Sequence, residues 1–192
     1  MKGFVRELVI TLGLAVIIFL VLQTTIQSSI VVGSSMEPGL NDGQRLIVNK
    51  AVYHFRSPNR GDVVIFHSPS AYKTDYIKRV IGLPGDTIEI RHGVVSVNGN
   101  PLDESYIKAA PNYSYGPVTV PEGNYFVLGD NRNNSNDSHT GWTVPQQSII
   151  GKAWLSIWPP GDWGTVRAYP IDKQLTAANP DESTQIFYGV RP

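Results

Sequence analysis

Residues 87–102 read TIEIRHGVVSVNGNPL, and this stretch sets the fold class. Thr87 to Arg91 and Gly93 to Asn98 are short runs rich in β-branched residues. His92-Gly93 and Asn98-Gly99 stand where tight hairpin turns belong, since Gly supplies the positive φ such turns require. The stretch therefore reads as a β-meander. Outward from it, runs of the same kind occupy Arg45 to Asn49, Asp62 to His67, Asp75 to Ile81, Val118 to Val120, Asn124 to Leu128 and Ile149 to Trp158. All 14 prolines lie from Pro38 onward, and they break most helices before a third turn. The chain beyond Glu37 is expected to be mainly β. Residues 103–116 (DESYIKAAPNYSYG) read as a polar loop dotted with aromatics, and residues 171–192 as a weakly structured tail.

The other end of the chain is different. Leu8 to Leu22 reads LVITLGLAVIIFLVL, and a helix from near Phe4 to Thr25 would make one membrane crossing, for which ~20 residues suffice. An apolar run without an amphipathic face argues against a buried soluble helix. Lys2 and Arg6 precede it and no Lys or Arg follows before Arg45, a pattern that keeps the N-terminus cytoplasmic and exports everything after about residue 28. A cleaved signal peptide competes with a retained anchor. The anchor is favoured because Gln23 to Ser29 has no Ala-x-Ala site and Arg6-Glu7 crowds the start. The expected organisation is an anchor over 1–28, an exported β domain over 29–170 with a small hairpin and loop insertion at about 87–122, and a tail over 171–192.

Composition removes several classes of function. Sixteen basic and 16 acidic side chains cancel, so the chain lacks the positive field that nucleic-acid binding needs. With no Cys there is no disulfide, thiolate metal site or cysteine nucleophile. Nucleophile elbow, zinc-protease helix motif, phosphate loop and dinucleotide fingerprint are all missing. His54, His67, His92 and His139 are scattered singly. Asp137-Ser138-His139 has the residue types of a hydrolase triad, but consecutive residues are expected to point apart rather than form a relay.

Three segments are over-specified for structure alone. They are Gly33 to Leu40 (GSSMEPGL), Asp75 to Asp86 (DYIKRVIGLPGD) and Gly129 to Ser138 (GDNRNNSNDS). Singly they read as a linker, a solvated strand and an Asx-rich turn. Together they resemble the bacterial type I signal peptidases, membrane-anchored serine proteases. S-M-x-P after an N-terminal anchor, R-G-D-V-V-I-F, Y-I-K-R-V-I-G-L-P-G-D and G-D-N-R-x-x-S-x-D-S occur in that family's order across residues 33–138, followed by Gly151-Lys152-Ala153. The resemblance implies a single transmembrane helix followed by an antiparallel, barrel-like β catalytic domain of the kind signal peptidases share with self-cleaving repressors.

By position, the resemblance makes Ser35 the nucleophile and Lys78 the general base of a Ser/Lys dyad. A serine hydroxyl needs a base as it attacks, and a neutral lysine amine serves if its pKa falls from its reference of ~10.4. Lowering it to ~8 disfavours the ammonium by roughly 3 kcal/mol, which an apolar wall can supply. On a strand, Tyr76 and Val80 share a face with Lys78, while Ile77 and Arg79 point the other way. The resemblance adds Phe66 and Val127 to the lysine's shield, a hydrogen bond from Ser135 to the Lys78 amine, and an Asp137–Arg79 pair. His139 stands where the family has a further Arg. Gly33 stands where some members have a hydroxyl donor for the oxyanion, which leaves the Ser35 N–H with the Gly33-Ser34 backbone, the Ser34 hydroxyl or water.

An extended signal-peptide segment with small residues at its first and third positions before the cut would add as a strand beside Ile30 to Ser34 and Asp75 to Lys78. The resemblance places pocket residues at Val31, Val32, Gly33, Met36, Leu40, Phe66, Tyr76 and Ile77. It implies no cofactor and no metal, with signal peptides of preproteins and the lipid bilayer as partners of a monomer in the cell membrane. Trp154, Trp158 and Trp163 are candidates either for a lipid-facing patch or for the β core. A different membrane-anchored Ser/Lys maturation protease and a non-cleaving signal-peptide-binding domain are the alternatives. A repressor-type protease would need a DNA-binding domain where this chain has its apolar run.

Overall fold

The computed structural model describes residues 2–69 and 74–178. Helix α1 (Lys2–Thr25) runs directly into strand β1 (Ile26–Ile30), followed by β2 (Arg45–Asn49), the short α2 (Val52–Phe55), β3 (Val63–His67) and β4 (Asp75–Gly82). Then come β5 (Thr87–Arg91), β6 (Val94–Val97), β7 (Asn100–Pro101), β8 (Tyr115–Thr119), β9 (Asn124–Leu128), β10 (Val144–Pro145), β11 (Ile149–Trp158), β12 (Gly164–Thr165) and α3 (Ile171–Ala178). Every strand pair is antiparallel.

Helix α1 is apolar around its circumference and exposed over residues 3–24, long and apolar enough to cross a membrane. The larger sheet has the order β1-β2-β11-β3-β4-β9-β10, with β12 on β11. The smaller has the order β7-β6-β5-β8 and is the meander of residues 87–102 plus one later strand. Its two turns have His92 and Asn98 at φ 52° and 53°, with positive φ at the glycine after each, the conformation a primed two-residue hairpin demands. Between the sheets lies one core of Ile81, Ile88, Ile90, Val97, Phe126 and Leu128.

Alternation along the central strands sends side chains into two further cores. Val63 and Ile65 join Val31, Met36, Leu40, Leu46 and Val48, while Val64 and Phe66 join Val80, Tyr125, Val127 and Val144. Lys78 stands opposite Val64 on β3, and Arg79 opposite Leu128 on β9. These two neighbours therefore face opposite sides of one sheet.

Two sequence expectations are corrected here. Ile26 already pairs with Asn49, so the β domain begins inside the segment read as anchor. The tail is not weakly structured at its start: Ile171–Ala178 is helical, with Ile171 fully buried against the inter-sheet core. Residues 179–192 of the expected tail lie outside the described residues.

Candidate active site

The loop after β1 carries Ser35 to the side of β4, where Lys78 Nζ donates a hydrogen bond to Ser35 Oγ at 2.7 Å and another to the Ile77 carbonyl at 3.0 Å. Lys78 is only 4 % exposed. Phe66, Val80 and Val127 are fully buried on its face, with Tyr76 packed against them and the Tyr76 ring centroid 5.3 Å from Nζ. Burial lowers the Lys78 pKa to about 8; Asp137 and Asp130 pull it the other way but do not offset the lost hydration. An amine so placed has a substantial neutral fraction at mildly alkaline pH, next to a hydroxyl it can deprotonate.

Backbone contacts position the nucleophile loop. The Asn131 N–H donates to the Ser35 carbonyl at 2.9 Å and its side-chain amide to the Ser34 carbonyl at 3.0 Å. Asn134 donates to the Ser34 hydroxyl at 2.8 Å, and Asp42 accepts from the Gly33 N–H at 2.7 Å. Gly129 makes this approach feasible, because a Cβ there would stand 2.5 Å from the Ser35 carbonyl oxygen and 2.3 Å from Ser135 Oγ. None of these four supports has an individual role in the sequence reading. Gly129, Asn131 and Asn134 fall within the third quoted segment, and that clustering was the available signal.

The charged residues behind the dyad are arranged differently from expectation. Arg79 does not pair with Asp137. It makes a bidentate bond to Asp130, Nε to Oδ1 at 2.8 Å and Nη2 to Oδ2 at 2.7 Å, and donates to the carbonyls of Gly61 and Arg167. Asp137 is completely buried, accepts from the Gly129 N–H at 2.9 Å and lies 2.6 Å from His139 Nδ1. The reason is strand alternation: Arg79 points away from the Lys78 face. The expectation that Asp137 and His139 point apart is likewise overturned, since a tight turn folds the imidazole back onto the carboxylate two residues earlier. Ser138 takes no part in a relay, because its hydroxyl accepts from the Val127 N–H. His139 also stacks on Tyr113 at 4.1 Å.

Ser135 Oγ is buried beside Gly129 and makes no hydrogen bond, so the expected bond to the Lys78 amine is not formed. A groove of about 380 Å³ opens at the dyad, lined by Ser35 and Lys78 together with Ile30, Val31, Val32, Leu46, Ile65, Tyr76, Ile77 and Asn136. Of the pocket residues the resemblance implies, Val31, Val32, Tyr76 and Ile77 line this groove, whereas Gly33, Met36, Leu40 and Phe66 do not. Met36 and Leu40 are buried in the core under the loop, and Phe66 packs behind Lys78. Leu46 of β2 and Ile65 of β3 line the groove as well. A larger cleft of about 550 Å³ sits on the Arg79 face, away from the dyad. Trp154, Trp158 and Trp163 are 44, 57 and 68 % exposed and so do not fill the β core.

Comparison with known proteins supplies the family. Residues 4–158 match the family described as signal peptidase, peptidase S26. A signal peptidase I of Leptolyngbya laminosa is 46 % identical over 157 residues, covering 78 % of this chain and 77 % of that one. A probable signal peptidase I-1 of Synechocystis sp. is 40 % identical over 184 residues, covering 92 and 94 %. Signal peptidase IB of Staphylococcus aureus is 35 % identical over 178 residues, covering 83 and 92 %. The chain belongs to the signal peptidase family, peptidase S26. It is a membrane-associated serine endopeptidase with the function of a type I signal peptidase.

Proposed function

We propose that Ser35 and Lys78 cleave signal peptides from exported preproteins. The observation that carries this reading is the 2.7 Å contact between the Ser35 hydroxyl and an amine that burial keeps near pKa 8. Neutral Lys78 takes the hydroxyl proton as Ser35 Oγ bonds to the scissile carbonyl carbon. It then passes that proton to the leaving amine as the peptide C–N bond breaks. The resulting acyl ester is attacked by water, again deprotonated by Lys78, and Ser35 is released with its proton restored. The Ser35 N–H donates to the oxyanion.

The preprotein lies extended between Ile30–Val32 and Asp75–Ile77 and presents small residues, Ala above all, to the shallow apolar lining formed with Leu46 and Ile65. Lys2 and Arg6 before the apolar helix, with no Lys or Arg following it before Arg45, favour a cytoplasmic N-terminus and an extracytoplasmic β domain. The exposed tryptophans of β11 and the turn after it suit the headgroup layer. Dyad and groove come from one chain, which fits a monomer. Ser35→Ala and Lys78→Ala, incubated in detergent with a secretory preprotein, are expected to lose at least about 10³-fold in cleavage rate. Mature product from either variant at the wild-type rate would refute the dyad.

A further inference from the structure

Among the large apolar residues of the described surface, Phe55 has the highest exposure, 88 %, ahead of every tryptophan. A single exposed aromatic is ordinary, but three observations distinguish this one. It is next to the membrane helix: the Lys50 N–H donates to the carbonyl of Thr25, the last residue of α1, at 2.8 Å, and α2 follows two residues later. The segment is held firmly, with the Val52 N–H on Asn49 Oδ1 at 3.0 Å and both Tyr53 Oη and Arg56 Nη2 on buried Asp62 at 3.2 and 2.9 Å. The stretch, KAVYHFR, opens on the cation Lys50 and holds no acidic residue, with Arg56 engaged by Asp62 from outside it.

Lengths bring such a segment near the bilayer surface. The 24 residues of α1 span about 36 Å, against a hydrocarbon core of about 30 Å, so the end of α1 emerges at headgroup level. From Lys50, two extended residues and the single turn of α2 carry Phe55 at most about 12 Å along the chain. Interfacial aromatic residues flanked by cations occupy a layer of about this thickness, with the ring at the acyl boundary and the cations on lipid phosphates.

We propose that Lys50–Arg56 is a membrane contact additional to α1 and to the exposed tryptophans, with Phe55 inserted in the lipid interface, and that it helps fix how the β domain sits against the bilayer. The inference rests on α1 spanning the membrane and not on the dyad. The chain has no Cys, so Phe55→Cys offers a unique labelling site for an environment-sensitive fluorophore on the full-length protein in nanodiscs containing anionic lipid. The label is expected to show blue-shifted emission and at least twofold stronger quenching by lipid-borne quenchers than one at Val94→Cys, in the distant small sheet. Water-like emission at position 55 would overturn the proposal. A blue shift without lipid quenching would also overturn it, because the ring would then be covered by protein or by a second copy.

Activity supplies an independent reading. Phe55→Ser is expected to cleave a short soluble peptide at the wild-type rate and a membrane-inserted preprotein roughly threefold to tenfold more slowly, matching the loss of one partly buried ring. Equal loss on both substrates would refute a membrane role. Failure of the wild-type protein to cut the peptide would count against the dyad while leaving the fluorescence result decisive for this proposal.

Discussion

Lys78 and Arg79 are consecutive on β4 and almost equally shielded, at 4 and 3 % exposure, yet their surroundings differ in kind. Arg79 faces a carboxylate in bidentate geometry and lies over the Tyr106 ring, with its centre 4.5 Å from the ring centroid. Lys78 faces aliphatic and aromatic carbon, and its hydrogen bonds go to a hydroxyl and a carbonyl. Burial of a cation has two outcomes: a partner keeps it charged and structural, or the lack of one pushes its proton off and makes it a base. The guanidinium cannot deprotonate in this range and suits the first; the amine suits the second. One strand thus carries a brace on one face and a reagent on the other.

Removing the brace has the largest expected effect. Arg79→Met strands Asp130 in the core, and unfolding in detergent is expected to show a loss of about 3–5 kcal/mol. A loss below about 1 kcal/mol would mean the pair is not structural.

Lys78→Met should have the opposite sign. The folded amine titrates near 8, below its ordinary 10.5, so the unfolded chain binds more protons between those values. Burying Lys78 therefore costs most below pH 8, and the cost vanishes as pH rises past 10.5. The variant is expected to be more stable by about 3 kcal/mol at pH 6, with the gain gone above 10.5. Unfolding curves across that range check it, and a pH-independent difference would sink it.

Phe66→Ser sharpens the comparison further. Admitting polarity beside the amine should move the acidic limb of kcat/KM to higher pH by roughly one unit, since less desolvation leaves the ammonium more stable. An unmoved limb would take Phe66 out of the shield.

Much of this contrast was legible in the residues. Period-2 alternation separates Lys78 from Arg79 without any coordinates, and the β-branched runs at Arg45–Asn49, Thr87–Arg91 and Asn124–Leu128 match the observed strands end to end. Strand β1 was missed because IQSSI is too polar to announce itself and follows an apolar helix without a break. Helix α3 does not announce itself in the sequence, because Ile171, fully buried, has its partners in distant strands. The Arg79–Asp130 pair joins residues 51 positions apart, and only the placement of β4 beside β9 brings them together. The alternation that sets Lys78 and Arg79 on opposite faces also turns Arg79 away from Asp137 and toward Asp130. Ser135 is a similar case: its hydroxyl is buried at the site, but nothing in an Asn/Ser-rich stretch of sequence fixes its rotamer.

The chemistry depends on an amine left uncharged by its surroundings while still in contact with the nucleophile. NMR titration of the Lys78 side chain in selectively labelled protein, assigned by its disappearance in Lys78→Met, reads that directly. A midpoint near 8 is the expected result. A midpoint near 10.5, the value of a hydrated lysine, would leave Ser35 without its base.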